Sequence, residues 1–127
     1  MCQRPPLGRA VVARQALGVE KVVVVAVELA DGAERFFLTW GRIQDAIDDR
    51  PLAELVLRHA VAYDLGGSPV SARVCRSLQE ARDQPYFFEA LFDFANEGIP
   101  SGPDFDDWRN AVARDMEQGK HLWYLGR

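Results

Sequence analysis

Two apolar runs, Val22–Leu29 and Glu34–Trp40, stand on either side of an Asp31-Gly32 pair and leave this chain few ways to fold. Asp-Gly between such runs predicts a β-hairpin with a two-residue turn, because both central positions of that turn need positive φ. Pairing Ala30 with Ala33 sets Glu28 against Arg35, Val27 against Phe36 and Val25 against Leu38. One sheet face is then expected to carry Val23, Val25, Val27, Leu29, Phe36, Leu38 and Trp40 and to be core. The other, with Val22, Val24, Ala26, Phe37 and Thr39, is too apolar to meet water along its whole length. It needs cover from a helix, a terminal strand or another subunit.

Helical spacing takes over after Gly41. Ile43, Ala46 and Ile47 keep it first, and Pro51 restarts it with the stripe Leu52, Leu55, Val56, His59, Ala60 and Tyr63. Ser68-Pro69 reads as a cap and first turn, predicting a helix to about Arg82 with Val70, Val74, Leu78 and Ala81 buried. Residues 85–98, from Pro85 to Gly98, predict another, joined to it so briefly that the two should be antiparallel neighbours. Phe87, Phe88, Leu91, Phe92, Phe94 and Ala95 cover most of its cylinder, so it is expected in the core. Asp104 is read as the cap of a last helix lined by Phe105, Trp108, Val112 and Met116, and residues 120–125 read as a final strand or packed tail.

The fold class is therefore α+β: an antiparallel hairpin, widened to three or four strands by the terminal segments, packed against about four to five helices. Residues 1–8 read as a flexible tail, with 9–14 as a short strand and 9–127 as a single domain. At 127 residues and 48% hydrophobic the chain is large enough for a core. Its longest apolar run is far short of the roughly 18 residues a membrane helix needs, and its opening residues lack the apolar centre of a secretory signal. Two cysteines, Cys2 and Cys75, make no disulfide framework, so a cytoplasmic setting is expected. Thirteen arginines against two lysines suggest GC-rich coding and a bacterial source.

The formal charge is −4, and all of the excess falls after residue 63. That argues against nucleic acid, whose binders collect phosphates on a basic face. Cys75 and His59 are the one pair that suggests nucleophilic catalysis, yet each sits where a buried filler or a hydrogen-bonded core histidine is the commoner occupant. Two His and two Cys show no metal-ligand spacing, and the glycines lack phosphate-loop fingerprints, so no cofactor or metal is expected.

What calls for explanation is the acidic line of the 85–98 helix. Glu89, Asp93 and Glu97 recur every four residues, where like charges repel by about 0.2–0.5 kcal/mol per pair. Either Arg73 and Arg76 of the preceding segment neutralise them, or a partner does. In the second case Glu89, Asp93 and Glu97, with Asp106 and Asp107, form a surface for a basic protein partner, as in an inhibitor or immunity-like protein. An alternative is a small enzyme or ligand-binding domain with a pocket near Trp40, His59 and Tyr63. A second alternative is a subunit that self-associates as a homodimer through the sheet.

Overall fold

The structure, a computed structural model, describes residues 22–41 and 49–126. The tail expected over 1–8, the strand over 9–14 and the helical spacing of Ile43, Ala46 and Ile47 lie outside those residues.

Strands β1 (Val22–Leu29) and β2 (Glu34–Trp40) form the expected hairpin. Its register differs by one residue: Glu28 lies opposite Glu34, Val25 opposite Phe37 and Val22 opposite Trp40. The turn explains this. Gly32 has a φ of +92°, but Asp31 is outside the left-handed region, so the turn that needs positive φ twice does not form. Leu29 N–H instead donates to Ala33 O at 2.8 Å, closing a loop of Ala30, Asp31 and Gly32. Asp31 Oδ1 accepts from Ala33 N–H at 2.9 Å, the local bond that aspartate makes in preference to a strained backbone. A three-residue loop ending in a left-handed glycine is a common hairpin solution. The slip moves each β2 side chain to the opposite face relative to β1. Val24, Ala26, Phe36, Leu38 and Trp40 thus share one face, and Val23, Val25, Val27, Phe37 and Thr39 the other.

The helix expected to run from Ser68 to Arg82 does not exist. Its first half is strand β3 (Pro69–Val74) and its second a single 3-10 turn, Leu78–Ala81, capped by Ser77. Both periodicities are present in this stretch, and the sheet decides between them. Val24 to Val27 are almost wholly buried, so the free edge of β1 needs partners for its peptide groups. Residues in and beside β3 supply them, as in the bonds from Cys75 N–H to Val24 O and from Ala30 N–H to Ser68 O, both 2.8 Å. The β1–β3 register shifts between Glu28 and Leu29, leaving Leu29 opposite Pro69. Proline fits there as the first residue of an edge strand.

After α1 (Asp49–Ala60), α2 (Phe87–Ala95) and α3 (Asp104–Glu117), strand β4 (Leu122–Tyr124) completes an antiparallel sheet of order β3-β1-β2-β4. The chain is thus α+β with four strands and, among the described residues, three α-helices rather than four or five. Helix α1 covers the Phe37 face, where Phe37 meets Tyr63 at 5.2 Å and Tyr124 at 5.1 Å between ring centroids. Helix α2 covers the Trp40 face, with Phe94 4.9 Å from Trp40 and 4.3 Å from Trp123. Helix α3 closes the end between these layers. Its Trp108 stacks edge-on to Trp40 at 5.5 Å, and Met116 lines a crevice with Leu55 and His59 on the other side. Asp104 is its first helical residue rather than its cap, a position that Pro103 takes.

A methyl group added at Gly32 would touch nothing within 4 Å, so only backbone strain opposes it. Gly32→Ala is expected to cost about 1–2 kcal/mol in urea unfolding, and Gly32→Asn distinctly less, because asparagine tolerates the left-handed region.

Candidate functional site

Helix α2 begins where Tyr86 N–H donates to Leu125 O, at the end of the β4 edge, and it stops before Gly98, whose φ is +76°. Phe87, Ala90 and Phe94 are buried, with Leu91 half-buried beside them. These four fall within one arc of about 100° at 100° per residue. Phe88, Phe92, Glu89 and Asp93 occupy the opposite arc and are exposed. The aromatic residues therefore do not all turn inward. Phe88 keeps 62% and Phe92 66% of its surface in solvent, because the helix has only one sheet face to lie on. Phe88 touches its neighbour Phe87 in a T-shaped contact at 5.0 Å, which leaves at least one ring face open.

The acidic line divides at its last member. Glu97 Oε1 accepts from Trp40 Nε1–H at 3.2 Å, while its Oε2 lies 3.4 Å from His121 Nδ1. The other ring nitrogen of His121 is 3.6 Å from Asp115 Oδ2, and Lys120 Nζ is 3.9 Å from Asp115 Oδ1. His121 has a φ of 60° and its carbonyl accepts from Thr39 Oγ1–H at 2.7 Å. A carboxylate, an indole and an imidazole thus tie the ends of α2, β2 and α3 together. Glu89 and Asp93 have no ion pair among the described residues. Asp106 and Asp107 lie in the first turn of α3, Asp106 at 3.7 Å from Arg109.

Of the two arginines that might have neutralised the α2 line, Arg73 is paired elsewhere, and Arg76 has no ion pair among the described residues. Arg73 reaches Glu80 at 3.1 Å and Glu34 at 3.4 Å. The hairpin slip favours this, since it sets Glu28 opposite Glu34 on the face that Arg73 and Ser71 share. Ser71 Oγ–H donates to Glu28 at 3.1 Å. Glu80 is held below the usual carboxylate range by the Arg76 backbone N–H, 2.9 Å away, and then by Arg73. Arg73 in turn is raised above its ordinary value, chiefly by its hydrogen bond to Glu80.

The groups weighed for catalysis are kept apart. Cys75 follows β3 rather than lying within a helix, on the face of its partner Val24, whereas His59 is on α1 across the sheet. The Cys75 thiol is free and buried, and burial, reinforced by Glu80, pushes it up to about 11. It is a protonated thiol at neutral pH and a poor nucleophile. Trp40 is separated in the same way from His59 and Tyr63. His59 bonds to Glu117 O through Nε2 at 3.1 Å, Tyr63 O–H donates to Leu122 O at 3.2 Å, and the crevice beside His59 has room for about one water. Among the described residues no three His, Cys, Asp or Glu side chains gather as a metal site, and no helix is long and apolar enough to cross a membrane.

Comparison with protein-family models, curated proteins and solved structures finds no match to this chain.

The displaced thiol makes stability depend on pH. Its folded value lies above its unfolded one, so the contribution is complete below about pH 9 and is lost as pH rises through about 11. In a Cys2→Ser background, urea unfolding of the parent should weaken over that window. The Cys75→Ala variant should lack this part of the slope, and the two profiles should run parallel below pH 8.

Proposed function

We propose that this chain is a small, non-catalytic interaction protein that binds a basic protein partner through the outer face of α2, as an inhibitor or immunity-like protein would. The observation that carries the reading is the pairing of two exposed phenylalanines with two carboxylates that no cation of the described chain meets. Apolar side chains of this size clustered on one helix face mark interaction surfaces. Isolated like charges beside them favour a partner of opposite sign. Glu89 and Asp93 make the contacts, while Glu97 anchors the end of the helix. Asp106, Asp107 and the net charge of −4 add to a field that speeds encounter. A reducing, cytoplasmic setting suits the free Cys75 thiol.

The other readings find less support. A pocket between hairpin and helices would need Trp40 beside His59 and Tyr63, which the sheet separates. A subunit associating through the sheet would need an apolar face, and α1 and α2 each cover one.

Native lysate passed over the immobilised protein at about 50 mM and about 500 mM salt tests the reading. A basic protein should be retained at the lower concentration and released at the higher, where charges are screened within about 5 Å. Phe88→Ser/Phe92→Ser and Glu89→Lys/Asp93→Lys variants should each lose it, with stability changed by no more than about 0.5 kcal/mol, as for exposed sites. Retention that ignores salt and survives both variants would overturn the reading.

A further inference from the structure

The residues that follow α2 put a carboxylate where a helix least tolerates one. Glu97 lies just past the C-cap Asn96, at the negative end of the helix dipole, and the last turn of α2 carries no basic residue. The helix is nine residues long, and helices so short are marginal unless their ends are held. A cation for this end comes from His121, whose Nδ1 is 3.4 Å from Glu97 Oε2. Its Nε2 is 3.6 Å from Asp115 Oδ2, so a carboxylate stands at each ring nitrogen. The ring is largely enclosed, its side chain keeping 19% of its surface in solvent.

Protonated imidazole carries an N–H on both nitrogens. Neutral imidazole carries one, and in either tautomer the other nitrogen turns a lone pair toward an anion. Neither carboxylate is free to swing away. Trp40 Nε1–H donates to the second oxygen of Glu97 at 3.2 Å, and Lys120 Nζ lies 3.9 Å from the second oxygen of Asp115. The ring is held as well, because the His121 carbonyl accepts from Thr39 Oγ1–H at 2.7 Å and its backbone sits at a φ of 60°. Among the described residues, the charged groups at this site are thus Glu97 beyond α2, Asp115 of α3 and Lys120 before β4. Strands β2 and β4 bring Thr39, Trp40 and Trp123, which are uncharged.

From this arrangement we infer that His121 is a proton-operated lock on the C-terminal end of α2. With both ring nitrogens protonated, the imidazolium joins Glu97 to Asp115 and so ties the end of α2 to α3. When one proton leaves, a carboxylate faces a lone pair, the tie opens and the last turn of α2 loses its cation. Imidazole is the ordinary side chain that changes charge nearest neutrality, which makes such a lock responsive to mild changes of pH. The hold is complete while the ring carries both protons and is lost as pH rises and one departs. The inference does not rest on the basic-partner reading; it concerns the free protein and the helix that carries Phe88, Glu89, Phe92 and Asp93.

The test follows the full chain, labelled with 15N and 13C, by NMR from pH 5 to 8, with the carbon-bound ring protons of His121 reporting its charge. The amides of Asn96 and Glu97 donate to Phe92 O and Phe94 O. Their protection from exchange, corrected for the intrinsic effect of pH, should fall about three- to tenfold as the ring loses its proton. The Trp40 indole N–H resonance should move over the same interval. His59→Gln should keep this response. His121→Gln should abolish it, and so should Glu97→Gln, which retains an acceptor for Trp40 without the charge. Protection and an indole resonance that stay constant while the His121 ring titrates overturn the inference, as does a response that survives His121→Gln. The first comparison is made on the unaltered chain and decides even if a variant fails to fold.

Discussion

Strand β1 faces solvent on neither side along Val24 to Val27 and has peptide groups on both of its edges. An isolated buried N–H or C=O costs more than a typical hydrogen bond gains, so both edges must be paired before either face can be covered. The hairpin pairs one edge at once. The other has to wait for a segment some forty residues later, and this requirement overrides the helical spacing of residues 69–81. Once the central strands are bonded, each apolar face attracts a helix. With α1 on one and α2 on the other, helix α3 is left to seal the end at Trp40 and Met116.

Much of this was legible before any coordinates. The bounds of both hairpin strands, the α1 stripe from Leu52 to Ala60, and a last helix beginning near Asp104 follow from alternation, spacing and turn residues and are found. Tyr63, read as the last member of the α1 stripe, lies beyond the end of that helix. Two misreadings have physical causes. At Asp31, a side-chain bond to Ala33 N–H competes with the backbone strain of the shorter turn and wins, which moves the register by one. At Pro69, cap-like Ser-Pro and an i, i+4 stripe imitate a helix start; the deciding influence is a bonding demand from β1, remote in sequence. The outward turn of Phe88 and Phe92 was available from the helical wheel, since they lie opposite Phe87, Ala90 and Phe94. His121 gave no signal. Its left-handed backbone and its place between Glu97 and Asp115 depend on three elements meeting.

The same slip that re-pairs the hairpin also shapes the surface. Bringing Glu28 opposite Glu34 creates a local excess of negative charge that Arg73 and Ser71 relieve. Arg73 is thereby fixed on the β3 edge, and Glu89 and Asp93 of α2 are left without an ion pair among the described residues. Exposed pairs of this kind are individually worth little, on the order of 0–1 kcal/mol. Their consequence lies in where they hold a guanidinium.

The displacement of the ladder between Glu28 and Leu29, with Pro69 beside it, bears on behaviour in a crowded solution. Valine-rich sheets with straight, unbroken rims recruit further copies of themselves and grow into fibres. Here that rim bears a kink, a residue with no N–H to give and an arginine tied across to two glutamates. A neighbouring molecule finds a shorter, interrupted row of donors and acceptors to copy along that side, which weakens it as a template for growth.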